Sequence, residues 1–271
     1  MSAAPASQRR GVLLALSMAA VLVSACGGTD AAGSSALPTV SPSGRPTGTV
    51  TVFAAASLTE TLTALARQVE ADNPGLEVVL SFGASSTLAQ QVQAGAPADV
   101  LATASTKTMQ PVVEAGLAAS TPRVFARNRL EIATPRGNPA RVESLADLAR
   151  PQLTIALCAP QVPCGAAADK ALAAAGVTPA PDTLERDVKA VLAKVRLGEV
   201  DAGLVYRTDV TAAGDAVTGV PFPQADQAVT DYPVVALEAA PNPRAAAAFV
   251  DALLGPTGRR ALASAGFEAP P

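Results

Sequence analysis

Hydrophobic positions after residue 48 alternate between two periods along the chain, one typical of strands and one typical of helices. The run 49–54 is short and β-branched, whereas 57–72 carries Leu58, Leu62 and Leu65 close to helical spacing. This alternation predicts a β-α-β-α-β-α unit. Its strands are predicted at 49–54, 76–82 and 99–102, and its helices at 57–72, 87–94 and 106–115.

A second unit of the same kind follows, and two helices close the chain. Its strands are predicted at 130–134, 153–157, 202–206 and 232–237, its helices at 142–148, 165–175 and 188–197, and the closing helices at 243–254 and 256–265. Alternating strands and helices predict an α/β fold in which each half is a mainly parallel sheet flanked by helices. Two such halves predict two lobes around a cleft, with ligands bound beyond the carboxyl ends of the strands.

The first 26 residues have the pattern of an export signal. Two arginines precede the apolar run 11–23, which is shorter than the roughly 20 residues that a membrane-spanning helix needs. Small residues directly precede Cys26, as in a bacterial lipobox, so we interpret 1–26 as a lipoprotein signal peptide ending at a lipidated Cys26. A plain signal peptide with a chance cysteine is the alternative.

Residues 27–48 are rich in Gly, Ser, Thr, Ala and Pro and hold almost no large apolar side chains. Such a segment buries too little surface to fold, which predicts a flexible linker between lipid and domain. We therefore expect the domain to work outside the cytoplasm, anchored to the cell membrane through Cys26.

An oxidising compartment changes the interpretation of the two remaining cysteines, Cys158 and Cys164. Because they are close in sequence, a disulfide that closes a short loop is one possibility. The other is a free Cys164 thiol at a helix start, where its reactivity would rise.

Composition excludes several classes of function. The chain has no His, which removes Ser-His-Asp and Cys-His catalysis and every His-ligated metal site. A formal net charge of −3 argues against nucleic-acid binding, and 3% aromatic residues without Trp argue against stacking on bases or sugars. We therefore expect that the protein is not an enzyme and has no cofactor. The enzyme alternative would need Cys164 or Ser85 as a nucleophile, without an evident base.

Four predicted strand-to-helix turns have the chemistry of an anion site. Ser57 and Glu60 are spaced as a capping box, which is one interpretation of the first turn. The other is that this helix start offers a hydroxyl, N–H groups and a positive dipole to an anion. The second turn has three hydroxyl residues in succession, beginning with Ser85, which is more than one cap requires.

The other two turns, both in the second unit, lack side chains that would occupy every backbone donor. Cys164 opens a helix that has no good capping residue, so its N–H is left for a ligand. Asp187 is the natural N-cap of the next helix, which leaves the N–H of Val188 as another donor. Tyr206 ends the following strand, where its phenol either reaches the cleft or lies half-buried with its hydroxyl in water.

These turns resemble those of the periplasmic molybdate-binding proteins of ABC importers, which have the type II periplasmic-binding fold. The resemblance rests on the segments TVFAAASL, FGASSTLA, GAPAD, VPCG, DV, GLVY and YPV, in the family's order, and covers essentially all of 49–267. It implies that molybdate or tungstate is held by the hydroxyls of Ser57, Ser85 and Tyr206. Backbone N–H groups of Ser57, Ser85, Cys164 and Val188 would add to them. Family members commonly have Ala where this chain has Cys164.

The resemblance also implies an organisation and partners. One lobe would comprise 49–128 plus 231–271 and the other 129–230, with crossings near Asn128 and Thr230. Such a monomer would bind the anion, close, and be recognised by an ABC transporter permease. Sulfate, phosphate or another tetrahedral oxyanion is an alternative ligand, and a surface lipoprotein without an anion ligand is an alternative function.

Overall fold

Residues 44–270 are described by the computed structural model, and their strands follow the hydrophobic runs of the sequence closely. The proposed signal peptide, Cys26 and residues 27–43 of the predicted linker lie outside this range. In chain order the strands are β1 Gly48–Ala55, β2 Leu76–Gly83, β3 Val100–Ala102, β4 Arg123–Asn128, β5 Leu130–Pro135, β6 Ile155–Cys158, β7 Thr183–Glu185, β8 Ala202–Tyr206, β9 Val217–Val220 and β10 Thr230–Ala236.

Eight α-helices connect or flank these strands within residues 44–270. They are α1 Thr59–Asp72, α2 Ser85–Gln93, α3 Thr106–Glu114, α4 Pro163–Ala175, α5 Val188–Leu197, α6 Arg207–Ala213, α7 Pro243–Leu254 and α8 Pro256–Ser264. Short 3₁₀ turns occupy Ala56–Leu58, Leu145–Ala149, Gly214–Ala216 and Pro223–Ala228. None of these helices combines the length and apolar character that crossing a bilayer requires.

The strands form two five-stranded sheets of matching design. The first has the order β2-β1-β3-β10-β4 and the second β7-β6-β8-β5-β9. In the first sheet only β10 is antiparallel to its neighbours, and in the second only β5 is. Four strands of each sheet therefore run in one direction, so the two-lobed α/β fold with mainly parallel sheets is confirmed.

Each sheet has its own apolar core. In the first, the inward positions of β1, Val50 and Val52, are fully buried and pack with Leu62 of α1 and Phe249 of α7. In the second, every residue of β8 is buried. A Cβ on Gly203 of that strand would lie 2.6 Å from a side-chain carbon of α5, so glycine there lets α5 lie directly on the sheet.

The chain passes between the sheets twice. The first passage is the single residue Arg129 between β4 and β5, and the second runs from the end of β9 to the start of β10. Arg129 forms ion pairs with Asp226 of the second passage and Glu268 near the C-terminus. The buried Asn128 donates to Thr208 Oγ1 at 2.8 Å. Polar contacts thus fix both passages to one another.

Several predicted element boundaries differ from those in the structure. β1 begins at Gly48, which the sequence had placed in the linker, and Thr47 accepts a 2.8 Å hydrogen bond from Asn242. The predicted helix 142–148 is a 3₁₀ turn, Leu145–Ala149, closed by a box of hydrogen bonds between Ser144 and Asp147. Strands β4, β7 and β9 and helix α6 were not predicted.

Candidate functional site

A small cavity lies where the carboxyl ends of strands from both sheets meet. Its volume is about 20 Å³, slightly more than the roughly 10–15 Å³ that one water needs. The lining residues are Ala55, Ala56, Ser57, Gly83, Ala84, Ser85, Ala104, Val162, Pro163, Cys164, Asp187, Val188 and Tyr206. All five residues that the sequence put forward for anion binding therefore line one space, with Ser57 and Ser85 from the first lobe and Cys164, Val188 and Tyr206 from the second.

Ser57 lies in the 3₁₀ turn Ala56–Leu58, directly after β1, and only 4% of its surface is exposed. Its hydroxyl shares a 2.9 Å hydrogen bond with the Tyr232 hydroxyl. Of the two interpretations of this turn, the capping box between Ser57 and Glu60 is wrong, because neither the 3₁₀ turn nor α1 has a side-chain cap. The tight turn places Ser57 before the start of α1 and directs its hydroxyl toward Tyr232.

Ser85 is the first residue of α2 and is buried. Its Oγ accepts a hydrogen bond from the backbone N–H of Ala104 at 2.9 Å. Since a hydroxyl has a single proton, and this contact uses a lone pair, that proton is left to donate to another acceptor. A ligand in the cavity is such an acceptor.

The second lobe contributes backbone donors at two helix starts. Cys164 is the second residue of α4, and no side chain caps that helix. Val188 is the first residue of α5, where the carboxylate of Asp187 accepts from the N–H of Ala190 at 3.0 Å. N–H groups in the first turn of a helix have no partner within the helix, so those of Cys164 and Val188 are available to an anion.

A disulfide joins Cys158, the last residue of β6, to Cys164, with the two Cα atoms 5.8 Å apart. Next to it, Gly165 approaches the preceding turn so closely that a Cβ would lie 2.0 Å from the carbonyl oxygen of Ala159. The bond and the close contact together fix the start of α4 against the end of its strand.

Tyr206 is the last residue of β8 and is 1% exposed. Its hydroxyl has no hydrogen-bond partner among residues 44–270. Burial raises the pKa of the Tyr206 phenol well above its ordinary value, so the group stays a neutral donor at physiological pH. A buried hydroxyl without a hydrogen-bond partner lowers the stability of the folded protein. A ligand oxygen in the cavity would accept its hydrogen bond and remove this penalty.

Tyr232 was not predicted as a member of the site. Its ring packs edge-on against that of Tyr206, with centroids 6.0 Å apart, and its hydroxyl meets Ser57. Within the sequence these are the two tyrosines of the chain. Tyr232 could have been identified from the sequence, because it is a rare aromatic residue with a polar hydroxyl in a predicted strand.

The lining holds no Arg or Lys, and its one charged residue, Asp187, uses its carboxylate as a helix cap. The donors are thus hydroxyls and N–H groups held by the backbone. Such a set suits a fully deprotonated oxyanion, since a proton on the ligand would need an acceptor that the donors do not provide.

A larger cavity, of about 450 Å³, lies at the passages between the sheets and contains none of the predicted residues. It is bordered by Arg129, Arg207 and Phe222. The guanidinium groups of Arg129 and Arg207 both already pair with Glu268. We therefore place the candidate site in the smaller cavity, where the unpartnered donors converge.

The family model described as bacterial extracellular solute-binding protein matches residues 50–268. The chain belongs to this family. It is 41% identical over 246 residues to the molybdate-binding protein ModA of Mycobacterium tuberculosis, across 91% of this chain and 92% of that protein.

Two solved structures of solute-binding proteins share the fold. The periplasmic molybdate-binding protein of Azotobacter vinelandii matches 82% of this chain and 100% of its own, with a TM-score of 0.71 and 23% identity. The sulfate-binding protein SubI of Mycobacterium tuberculosis matches 82% of this chain and 86% of its own, with the same TM-score of 0.71 and 19% identity. The equal scores show that the solute-binding fold alone does not choose between the two anions.

Proposed function

We propose that this solute-binding protein captures molybdate or tungstate outside the cytoplasm and delivers it to an ABC transporter permease. The observation that carries the proposal is the convergence of hydroxyl and backbone donors from both lobes on one small cavity without a lining cation. The 41% identity to a protein named molybdate-binding supports the choice of ligand.

Each donor has a defined role in this proposal. The hydroxyls of Ser57, Ser85 and Tyr206 and the N–H groups of Ser57, Ser85, Cys164 and Val188 would surround the oxygens of a tetrahedral dianion. Hydrogen bonds to a charged group contribute about 1.5–3 kcal/mol each, so a few of them suffice without an ion pair. The protein would bind and release its ligand unchanged, with no catalysis and no cofactor.

Closure of the lobes is the second part of the proposal. Residues 49–128 plus 231–271 would move against 129–230 about the two passages between the sheets. Such hinge motions need only a few residues at the connecting segments. The permease would recognise the closed form of the monomer.

The N-terminal segment supplies the anchoring part of the proposal. Residues 1–26 would direct export, the lipid on Cys26 would hold the protein at the membrane, and 27–48 would link it to the domain. Incorporation of radiolabelled fatty acid, abolished by Cys26→Ser, would support the anchor, and unchanged labelling would contradict it.

Sulfate is the second candidate ligand, because a sulfate-binding protein matches this fold with the same TM-score as a molybdate-binding one. Both ligands are tetrahedral dianions that neutral donors can hold, so size would decide between them.

Isothermal titration of the exported chain without its lipidated cysteine, from residue 27 on, tests the function. Molybdate, tungstate, sulfate and phosphate are each titrated into the same protein. We expect tight binding of the first two alone. Binding of sulfate instead would retain the transport role and change the substrate, and heat from none of the four would overturn the anion site.

A further inference from the structure

A three-residue ionic cluster of Glu60, Lys189 and Asp209 lies beside the candidate site. The Lys189 ammonium is 2.9 and 2.8 Å from the two carboxylate oxygens of Glu60 and 2.9 Å from Oδ1 of Asp209. Glu60 belongs to α1, on the first sheet, while Lys189 and Asp209 belong to α5 and α6, on the second. The ammonium therefore joins the two lobes.

The members of this cluster differ in burial. The side chain of Asp209 is 0% exposed, that of Lys189 is 23% exposed and that of Glu60 is 53% exposed. Burial raises the pKa of Asp209, and the neighbouring Lys189 ammonium opposes that rise. A buried carboxylate requires a partner, so Lys189 and Asp209 form a fixed pair within the second lobe. Glu60 is the exposed member, which reaches the pair from the other lobe.

Each member is attached to a segment that supplies an anion donor. The second carboxylate oxygen of Asp209 accepts the backbone N–H of Tyr206 at 3.1 Å. Lys189 directly follows Val188, and Glu60 lies three residues after Ser57. A contact between Glu60 and Lys189 thus fixes the separation of the Ser57 turn from the Val188 and Tyr206 segments.

We propose that Glu60, Lys189 and Asp209 act as positioning residues that clasp the lobes together in the closed form and slow the release of the bound oxyanion. This inference rests on the proposed function. The Lys189–Asp209 pair holds the second-lobe donors in place whether the cleft is open or closed. The Glu60 contact forms only when the lobes meet, so its free energy favours the closed form alone and appears in the dissociation rate.

Stopped-flow fluorescence with molybdate and the exported chain tests the clasp through Glu60→Gln. This change removes the charge of Glu60, and with it the ion pair across the lobes, while leaving the buried Lys189–Asp209 pair intact. We expect dissociation to become about two- to fivefold faster, association to be no slower, and the melting temperature of the anion-free protein to be unchanged. High salt should reduce the difference between wild type and variant, since it screens a partly exposed ion pair.

Glu238→Gln is the matched control. Glu238 is exposed on the first lobe, and its carboxylate makes no hydrogen bond or ion pair within residues 44–270, yet the substitution changes the net charge equally. An unchanged dissociation rate in Glu60→Gln, or an equal acceleration in Glu238→Gln, overturns the clasp while the proposed function stands. Failure of the wild-type protein to bind any of the four anions overturns both.

Discussion

The two lobes are alike in sheet design but contribute different side-chain donors to the candidate site. The first lobe places two side-chain hydroxyls, those of Ser57 and Ser85, in strand-to-helix turns beside the backbone N–H groups of the same residues. The second presents backbone N–H groups at the starts of α4 and α5, with the phenol of Tyr206 between them.

Because of this difference, side-chain substitutions should affect anion binding by the two lobes differently. A hydroxyl is removed by one substitution to Ala, whereas a backbone N–H persists whatever side chain its residue carries. The first lobe should therefore be sensitive to single substitutions. The second should respond only where Tyr206 is changed or where the backbone itself moves.

The largest effect is expected from Ser85→Ala. Loss of one hydroxyl donor to a charged ligand should weaken molybdate binding by about 10- to 100-fold. It also leaves the buried N–H of Ala104 without its acceptor, so the free energy of unfolding should fall by about 1–3 kcal/mol. Titration calorimetry and denaturant unfolding measure the two quantities.

Ser86→Ala is the control for this prediction, because Ser86 is the next residue of the same helix but does not line the cavity. It should retain wild-type affinity. Equal weakening in both variants would show that the helix, and not the Ser85 hydroxyl, matters.

The next effect is expected from Tyr206→Phe, which should weaken molybdate binding by about tenfold. Unlike Ser85→Ala, it removes a buried hydroxyl that has no partner among the described residues. The melting temperature of the anion-free protein should therefore stay the same or rise.

Tyr232→Phe provides the comparison, since the Tyr232 hydroxyl does have a partner in Ser57. This variant should melt at a lower temperature than wild type. A lower melting temperature for Tyr206→Phe as well would contradict the assignment of its hydroxyl to the ligand.

The smallest effect on affinity is expected from the double variant Cys158→Ala/Cys164→Ala. The free energy of unfolding should fall by about 2 kcal/mol, because the disulfide closes a short loop. Molybdate affinity should stay within about threefold of wild type, since the N–H of Cys164 survives the change. Calorimetry of the variant, and of wild type under a reducing agent, measures both.

A loss of molybdate affinity in the double cysteine variant as large as that in Ser85→Ala would contradict this difference between the lobes. It would show that the disulfide, by fixing the start of α4, sets the position of a backbone donor. The second lobe would then depend on side chains as much as the first.

The elements predicted from the sequence were those whose hydrophobic pattern is strong. Helix 188–197 has the predicted bounds because its apolar spacing continues from the Asp187 cap to a left-handed Gly198. Strand β7 has three residues, and its central Leu184 is 56% exposed, so it carries no burial pattern to detect. Helix α6 follows β8 without a break, which leaves no turn residues to mark its start.

The candidate site shows the same division. Strand ends and the helix starts that follow them indicated five of the residues that line the cavity, because the parallel topology brings such turns together. The roles of Glu60 and Tyr232 depend on the other lobe or on a distant strand, 129 and 175 residues away from their partners. Local spacing holds no information about such contacts. The capping box was wrong for another reason, because a 3₁₀ turn places Ser57 before the start of α1.

The position of β10 has a consequence for how the chain assembles. This strand lies between β3 and β4, although more than a hundred residues separate it from both. The first sheet therefore remains in two pieces until residues 230–236 arrive, whereas the strands of the second sheet all come from the continuous stretch 130–220. Since closing long loops slows folding, the second sheet should form first and the N-terminal half of the domain should be completed last.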